Sequence, residues 1–347
     1  MRTWQFFLIS LAIALAAFFG ARLLGNDYLF FAGYVVLQFI VLATAWNILG
    51  GYCGYVNFGS AAFFAIGAYT TVVMTKLPAF AKRNLPEGMA DLVVAMTPPA
   101  MPVLVILGGV IAGLVGLGTG YLTLRLRGVF FAIATLALAV VLQTLIVNWD
   151  FVGGSRGAYV IRPATVPLLG INYIEYLFLV MLVLVVVALT TARAIERSRL
   201  GYGFATIRDD EQAAEACGVP TLRLKLVATT LSGAFMGMAG APFPYYIGYL
   251  EPSSAFGLAY AVNAIAMPMI GGTTSWVGPL VGAVLLGTLQ QLATVTISSA
   301  ISLLIVGLLL VFFVIIAPNG LIGLFNDYFR RKKPDTEEAH KVAVKTS

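Results

Sequence analysis

Long apolar runs separated by short polar joints dominate the chain. The runs Trp4 to Leu24, Tyr28 to Leu49, Ala100 to Leu122, Gly128 to Val147, Tyr173 to Ala192, Leu226 to Tyr246, Val277 to Ile297 and Ser298 to Ala317 each predict a membrane-spanning helix. A helix needs roughly 20 apolar residues to cross about 30 Å of hydrocarbon, and these runs meet that length. Two further runs, Cys53 to Thr75 and Leu258 to Gly272, are interrupted by Gly, Asn and Ser or are short, and are predicted as broken or re-entrant helices. Lipid offers no partner to a freed amide or carbonyl, so such backbone must be buried in protein or line a wet cavity. Interrupted segments of this kind point to a solute path.

Composition agrees. Of 347 residues, 60% are hydrophobic and 10% charged, with a mean hydropathy of +0.94, whereas soluble domains carry about 25% charged residues. The fold class is therefore an all-α polytopic membrane protein with about eight to ten transmembrane helices, and a soluble enzyme is excluded. Cys53 and Cys217 cannot build a disulfide framework, and the single histidine, His340, sits in the polar tail, so no zinc site or Ser-His-Asp triad can be assembled.

Basic residues set the orientation. With all ten runs counted as crossings and the tail inside, Arg2, Arg125, Arg127, the bases from Arg193 to Lys225 and those from Arg330 to Lys345 are cytoplasmic, 15 of the 21 Lys and Arg. Both termini are expected inside. Arg2 before an apolar stretch resembles a signal peptide, but a run of about 20 residues favours a retained first span. Residues 1–325 form the transmembrane domain, with a cytoplasmic loop at 193–225 and a charged, disordered tail at 326–347.

Several chemistries are disfavoured. None of the lysines ends a G-x-x-x-x-G-K-[ST] loop, so the chain is not expected to hydrolyse ATP or to bind a cofactor itself. The spans are almost free of acids and bases, which disfavours proton coupling; Glu175, at the outer edge of its run, reads as a headgroup contact. Sodium coupling stays open, because unwound carbonyls can ligate that ion.

The loop from Arg193 to Lys225 carries a helix signal in its middle. Asp209 or Asp210 caps, Glu211 and Glu215 stand at i and i+4, alanines favour helix, and Gly218 with Pro220 stops it. A short helix at 210–217 lying across the membrane face can pass force from a soluble partner to the flanking spans. A rival reading takes Asp209, Asp210 and Glu211 as a magnesium-pyrophosphate site of a membrane transferase, but the run has no acidic counterpart.

Here a resemblance enters. Glu215, Ala216 and Gly218 resemble the coupling loop of ABC-importer permeases, with Cys217 where a second Ala is common. NILGGYCGYVNFGSAAFFAIGAYT from Asn47, RLRGVFFAIATLALA from Arg125, GGSRG from Gly153, GGTTSWVGPLVGA from Gly271 and APNGLIGL from Ala317 accompany it. In order and over nearly the whole chain, these resemble the M-type permease of branched-chain or hydrophobic amino acid ABC importers. One departure is Ser60, where the family usually has His; a hydroxyl cannot change charge near neutral pH or offer an imidazolium.

The resemblance implies an importer of the bacterial cytoplasmic membrane. Its partners are a second, H-type permease, two cytoplasmic ATPases that bind ATP and magnesium, and an extracytoplasmic substrate-binding protein. The solute path is expected along Asn57, Phe58, Gly59, Ser60 and Phe63, with Asn263, Gly271, Gly272, Thr273 and Thr274. ATPase coupling is expected from Arg199, Arg208, Asp209, Glu211, Glu215 and Gly218, the two glutamates meeting basic groups of the ATPase. Leucine, isoleucine and valine lead as substrates. Urea or another small solute is the alternative within the family, and an ion-coupled secondary transporter the alternative outside it.

Overall fold

The computed structural model describes residues 3–166, 170–296, 304, 307–308, 311–312 and 320–324. The expected run from Ser298 to Ala317 therefore lies largely outside the described residues, and the tail at 326–347 wholly so. Among the described residues, nine helical stretches are long and apolar enough to cross a membrane.

The first is α1, Thr3–Leu23, followed by α2, Asp27–Leu49, whose cap is Asn26: its side chain accepts from Tyr28 N at 3.0 Å. An irregular stretch, Gly50 to Gly59, leads into α3, Ser60–Asn84. The run expected to be broken is therefore irregular at its start and continuous from Ser60 onward. Then come α4, Glu87–Met96; α5, Met101–Thr123; α6, Val129–Val147; and α7, Tyr173–Glu196. On the next joint lie α8, Arg199–Asp209, and α9, Glu211–Ala216, before α10, Thr221–Gly240, and α11, Phe243–Ile247. Finally α12, Pro252–Ala255, precedes α13, Leu258–Gly271, and α14, Val277–Thr296. The second interrupted run is thus a short helix ended by Gly272, whose φ of +116° suits glycine.

The long joint after α6 holds β1, Ala158–Tyr159, and β2 and β3, Thr165–Val166 and Ile171–Asn172; β4 is Tyr249–Leu250 after α11. β1 pairs antiparallel with β4, Ala158 opposite Leu250, which ties this joint to the end of α11.

α10 lies at the centre, against α5, α3 and α2. In lipid no hydrophobic force draws helices together, so close contact depends on small residues that let backbones approach. Gly108, Gly113 and Gly116 of α5 and Gly233 and Gly237 of α10 supply it: a Cβ at Gly108 would stand 3.1 Å from the Gly237 carbonyl. At the crossing of α3 and α10, a Cβ at Gly67 would collide with the Gly237 backbone. α1 packs at the rim, where Phe18 meets Phe30 of α2 and Phe178 of α7.

Candidate functional site

The polar groups concentrate where α9 rests against the body. Asp210 is its cap, accepting from Gln212 N at 2.9 Å and Ala213 N at 3.0 Å, and Gly218, at φ +83°, ends it. The helix sits within the stretch read from the sequence. α8, capped by Ser198 toward Gly201 N at 3.4 Å, was not singled out by that reading.

Glu211 turns inward, 12% exposed, while Glu215, 43% exposed, lies at the edge of the docked face. Lys225 of α10, 3% exposed, donates to Glu211 Oε1 at 2.7 Å, to the Leu124 carbonyl at 3.2 Å and to Tyr55 OH at 3.2 Å. The Tyr55 hydroxyl in turn donates to Glu211 Oε2. Arg127, in the joint between α5 and α6, reaches Glu215 Oε2 at 2.9 Å and lies 3.6 Å from Glu211 Oε1. Thr221 donates to Glu215 Oε1 at 2.7 Å. These glutamates were expected to meet basic groups of an ATPase; in the structure they meet this chain's own bases, because α9 docks with that face down.

The charges reinforce one another. The Thr221 hydroxyl, followed by Arg127, holds the Glu215 carboxyl below the ordinary carboxylate range. Glu211, then Glu215, raises the Arg127 guanidinium further above its already high value. Buried Lys225 has a charge partner and two further acceptors, the condition under which a desolvated ammonium is tolerated.

Tyr55 carries this cluster into the irregular stretch before α3. Two residues on, Asn57 is pinned at both ends: Trp46 Nε1 donates to its carbonyl at 3.0 Å, and its side-chain oxygen accepts from Gly59 N at 2.8 Å. Phe58 N donates to Thr135 Oγ1 of α6 at 3.2 Å. Asn57, Gly59 and Phe63 line a chamber with Thr119, Thr123 and Thr135, and Thr229 closes it from α10. Its volume is about 10 Å³, near the minimum for one water molecule. The threonines each donate to a carbonyl of their own helix, which leaves acceptor capacity on their hydroxyls, one lone pair of Thr135 being taken by Phe58 N. Phe58, between two chamber residues, instead lines a second cavity of about 450 Å³ whose wall includes Tyr55, Val129 and Glu211.

The other predicted path residues lie elsewhere. Asn263 accepts from Gln290 Nε2 at 2.8 Å, an amide pair joining α13 to α14. Gly271 packs against the backbone of Gly278 and Gly282 at the α13–α14 crossing, and the Thr273 carbonyl faces Gly51. The two Gly-rich stretches thus touch, but Asn263, Gly271, Gly272, Thr273 and Thr274 are not among the chamber's lining. Ser60 Oγ is buried with no hydrogen-bond partner among the described residues. Arg208 lies along Gly54 and pairs with exposed Asp209 at 3.3 Å, and Arg199 is exposed at the start of α8.

Sequence reasoning did not single out Lys225, Arg127, Tyr55, Thr221 or the chamber threonines. Two signals were present: a lysine one position before the apolar run at Leu226, and Thr119 and Thr123 one helical turn apart. Among the described residues, no group of three His, Cys, Asp or Glu side chains is placed to hold a metal ion.

Comparison with known proteins supplies the family. A family model for the branched-chain amino acid transport system permease component matches residues 28–314. The chain is 29% identical over 322 residues to the high-affinity branched-chain amino acid transport system permease protein LivM of Salmonella typhimurium, covering 86% of this chain and 71% of that protein. It is 24% identical over 281 residues to the probable branched-chain amino acid transport permease protein LivH of Methanocaldococcus jannaschii, covering 77% and 83%. The autoinducer 2 import system permease protein LsrC of Yersinia enterocolitica is 26% identical over 184 residues, covering 50% and 49%. No solved structure matches. With a family model running from α2 past α14 and, among the described residues, nine helical stretches able to span a membrane, this multi-pass chain belongs to the permease-component family of branched-chain amino acid transport systems.

Proposed function

We propose that the chain is the transmembrane permease subunit of an ABC importer and, with a second permease, forms the path for branched-chain or other hydrophobic amino acids. Separate cytoplasmic ATPases supply the energy with ATP and magnesium, and a separate extracytoplasmic receptor delivers the solute. The chain itself catalyses no reaction. Its termini and α9 lie on the cytoplasmic side, as the bias in Lys and Arg favours.

One observation carries the reading. α9 is a short helix hung between two membrane-spanning helices, and Glu211 on it shares a hydrogen-bonded cluster with Tyr55 of the stretch that shapes the chamber. An ATPase that pulls on the exposed face made by Arg208 and Asp209 at the end of α8 and by Gln212 and Ala213 of α9 moves Glu211, Tyr55 and Asn57 as one body. Arg199 extends the docking face along α8. Displacing Phe58 and Phe63 then joins the chamber to the larger cavity, and the solute passes through a wall of neutral hydroxyls too weakly binding to retain it.

The test is reconstitution with both permeases, ATPases and receptor. Leucine uptake requires ATP, and this chain alone accumulates no leucine under a sodium or proton gradient. Gly218→Val, which forces a branched residue to positive φ, and Glu215→Lys leave the complex assembled but uncouple hydrolysis from uptake. Normal uptake by both variants removes α9 from the coupling path. A second reading, a different small solute, draws on the similarity to LsrC, and binding measurements on the cognate receptor decide between the two.

A further inference from the structure

α7 carries the chain from Tyr173 to the α8–α9 end, about 36 Å for its 24 residues, so the starts of α2 and α7 mark the opposite membrane boundary. Between them lies a cavity of about 450 Å³. Asp27 and Glu175, each in the first turn of its helix, line it with Arg162, Asn172, Phe31 and Tyr173.

Three features mark the cavity as built for a ligand. First, Glu175 Oε2 is shielded from solvent yet has no hydrogen-bond partner among the described residues. Arg22, half exposed at the end of α1, forms an ion pair with it at 3.8 Å, too long to supply a hydrogen bond. A shielded carboxylate oxygen without a donor is costly, and a ligand N–H removes that cost. Second, the charges are mixed: two carboxylates disfavour a simple anion, and the arginines disfavour a bare cation. Third, the apolar side chains of Phe30, Phe31 and Ile174 also line the cavity, and Leu23 and Leu24, which follow Arg22 at the end of α1, are 89% and 73% exposed.

We propose that this cavity binds a zwitterion with a primary ammonium, which donates to Glu175 and Asp27 while its anionic group faces Arg162. The headgroup of phosphatidylethanolamine carries both groups, and its acyl chains would cover the exposed leucines. A free amino acid carries the same pair of charges. Phosphatidylcholine has no N–H to donate, which makes it the discriminating control.

Native mass spectrometry of the full-length chain, titrated with equal dioleoylphosphatidylethanolamine and dioleoylphosphatidylcholine, reads the preference directly. The ethanolamine lipid is retained about tenfold more, the worth of one charge-assisted hydrogen bond, and Glu175→Gln or Asp27→Asn abolishes the difference. Calorimetry with L-leucine tests the second source: leucine binding that is lost in the same variants assigns the site to free amino acids. Equal retention of the two lipids by the unaltered chain, together with no leucine binding, overturns the proposal without relying on any variant. None of these readouts needs the ATPases, so failure here leaves the transport reading standing.

Discussion

Lys225 and Glu211 form an ion pair at 2.7 Å, the lysine 3% and the glutamate side chain 12% exposed, between a membrane helix and the short helix laid across its end. Their attraction is set against the cost of taking both charges out of water, so the pair fixes position more than it adds stability. It makes α9 part of the body and not a flap.

Removing one partner is therefore worse than removing both. Lys225→Met takes the close, buried charge partner from Glu211, leaving it Tyr55 and the more distant Arg127, and lowers stability by about 3 kcal/mol. Lys225→Met combined with Glu211→Gln loses clearly less than the sum of the two changes. Thermal unfolding of the detergent-solubilised chain gives the cycle, and strictly additive losses would mean that the pair does not hold α9.

The Glu215 contacts make the docking of α9 acid-sensitive. Thr221 and Arg127 depress this carboxyl in the folded chain, so its contribution is present above the ordinary glutamate value of about 4.3. It is lost as pH falls through the lower folded value. Relative to the intrinsic rate, the amides of 211–216 stay protected from hydrogen exchange near neutral pH and lose protection below that range. Glu215→Gln flattens this dependence, and an unchanged profile would assign the sensitivity to other groups.

Phe63 lines the chamber, and the proposed path requires it to move. It is 4% exposed and packs toward Gly116 and Gly233. In the assembled importer, Phe63→Ala raises ATP-independent leucine efflux from preloaded vesicles several-fold and costs about 3–5 kcal/mol of stability. Phe63→Leu shows the leak with less destabilisation. Efflux at the unaltered level in both places the path away from this chamber.

The α3–α10 crossing tolerates no side chain at Gly67, since a Cβ there overlaps the Gly237 backbone. Gly67→Val separates the helices and costs about 3 kcal/mol or more, seen as aggregation on size exclusion. Gly118→Ala on α5, where a Cβ meets open space, elutes unchanged.

Seven of the nine described spans were legible because each is an apolar run whose length alone answers to the bilayer, whereas the two in the runs Cys53 to Thr75 and Leu258 to Gly272 read only as broken or re-entrant. The ends of α9 were legible for a similar reason: Asp210 and Gly218 act on backbone groups within a few residues. Asn57, Gly59 and Phe63 share one cavity as expected of neighbours in sequence. Asn263 and Gly271 were grouped with them by composition, and the structure gives them other work, because small and amide residues serve helix packing as readily as a path.

Local signals thus fixed what depends on length, periodicity and adjacent backbone: where the chain enters lipid, where it leaves, and where a helix lies across the boundary. What Glu211 and Glu215 touch depends on how α9 is rotated about its axis and on residues far along the chain; Tyr55 stands 156 positions from Glu211. That rotation is held by Lys225 and Thr221 of α10, Arg127 after α5 and Tyr55 before α3 acting together, contacts between distant stretches that no short stretch of sequence records.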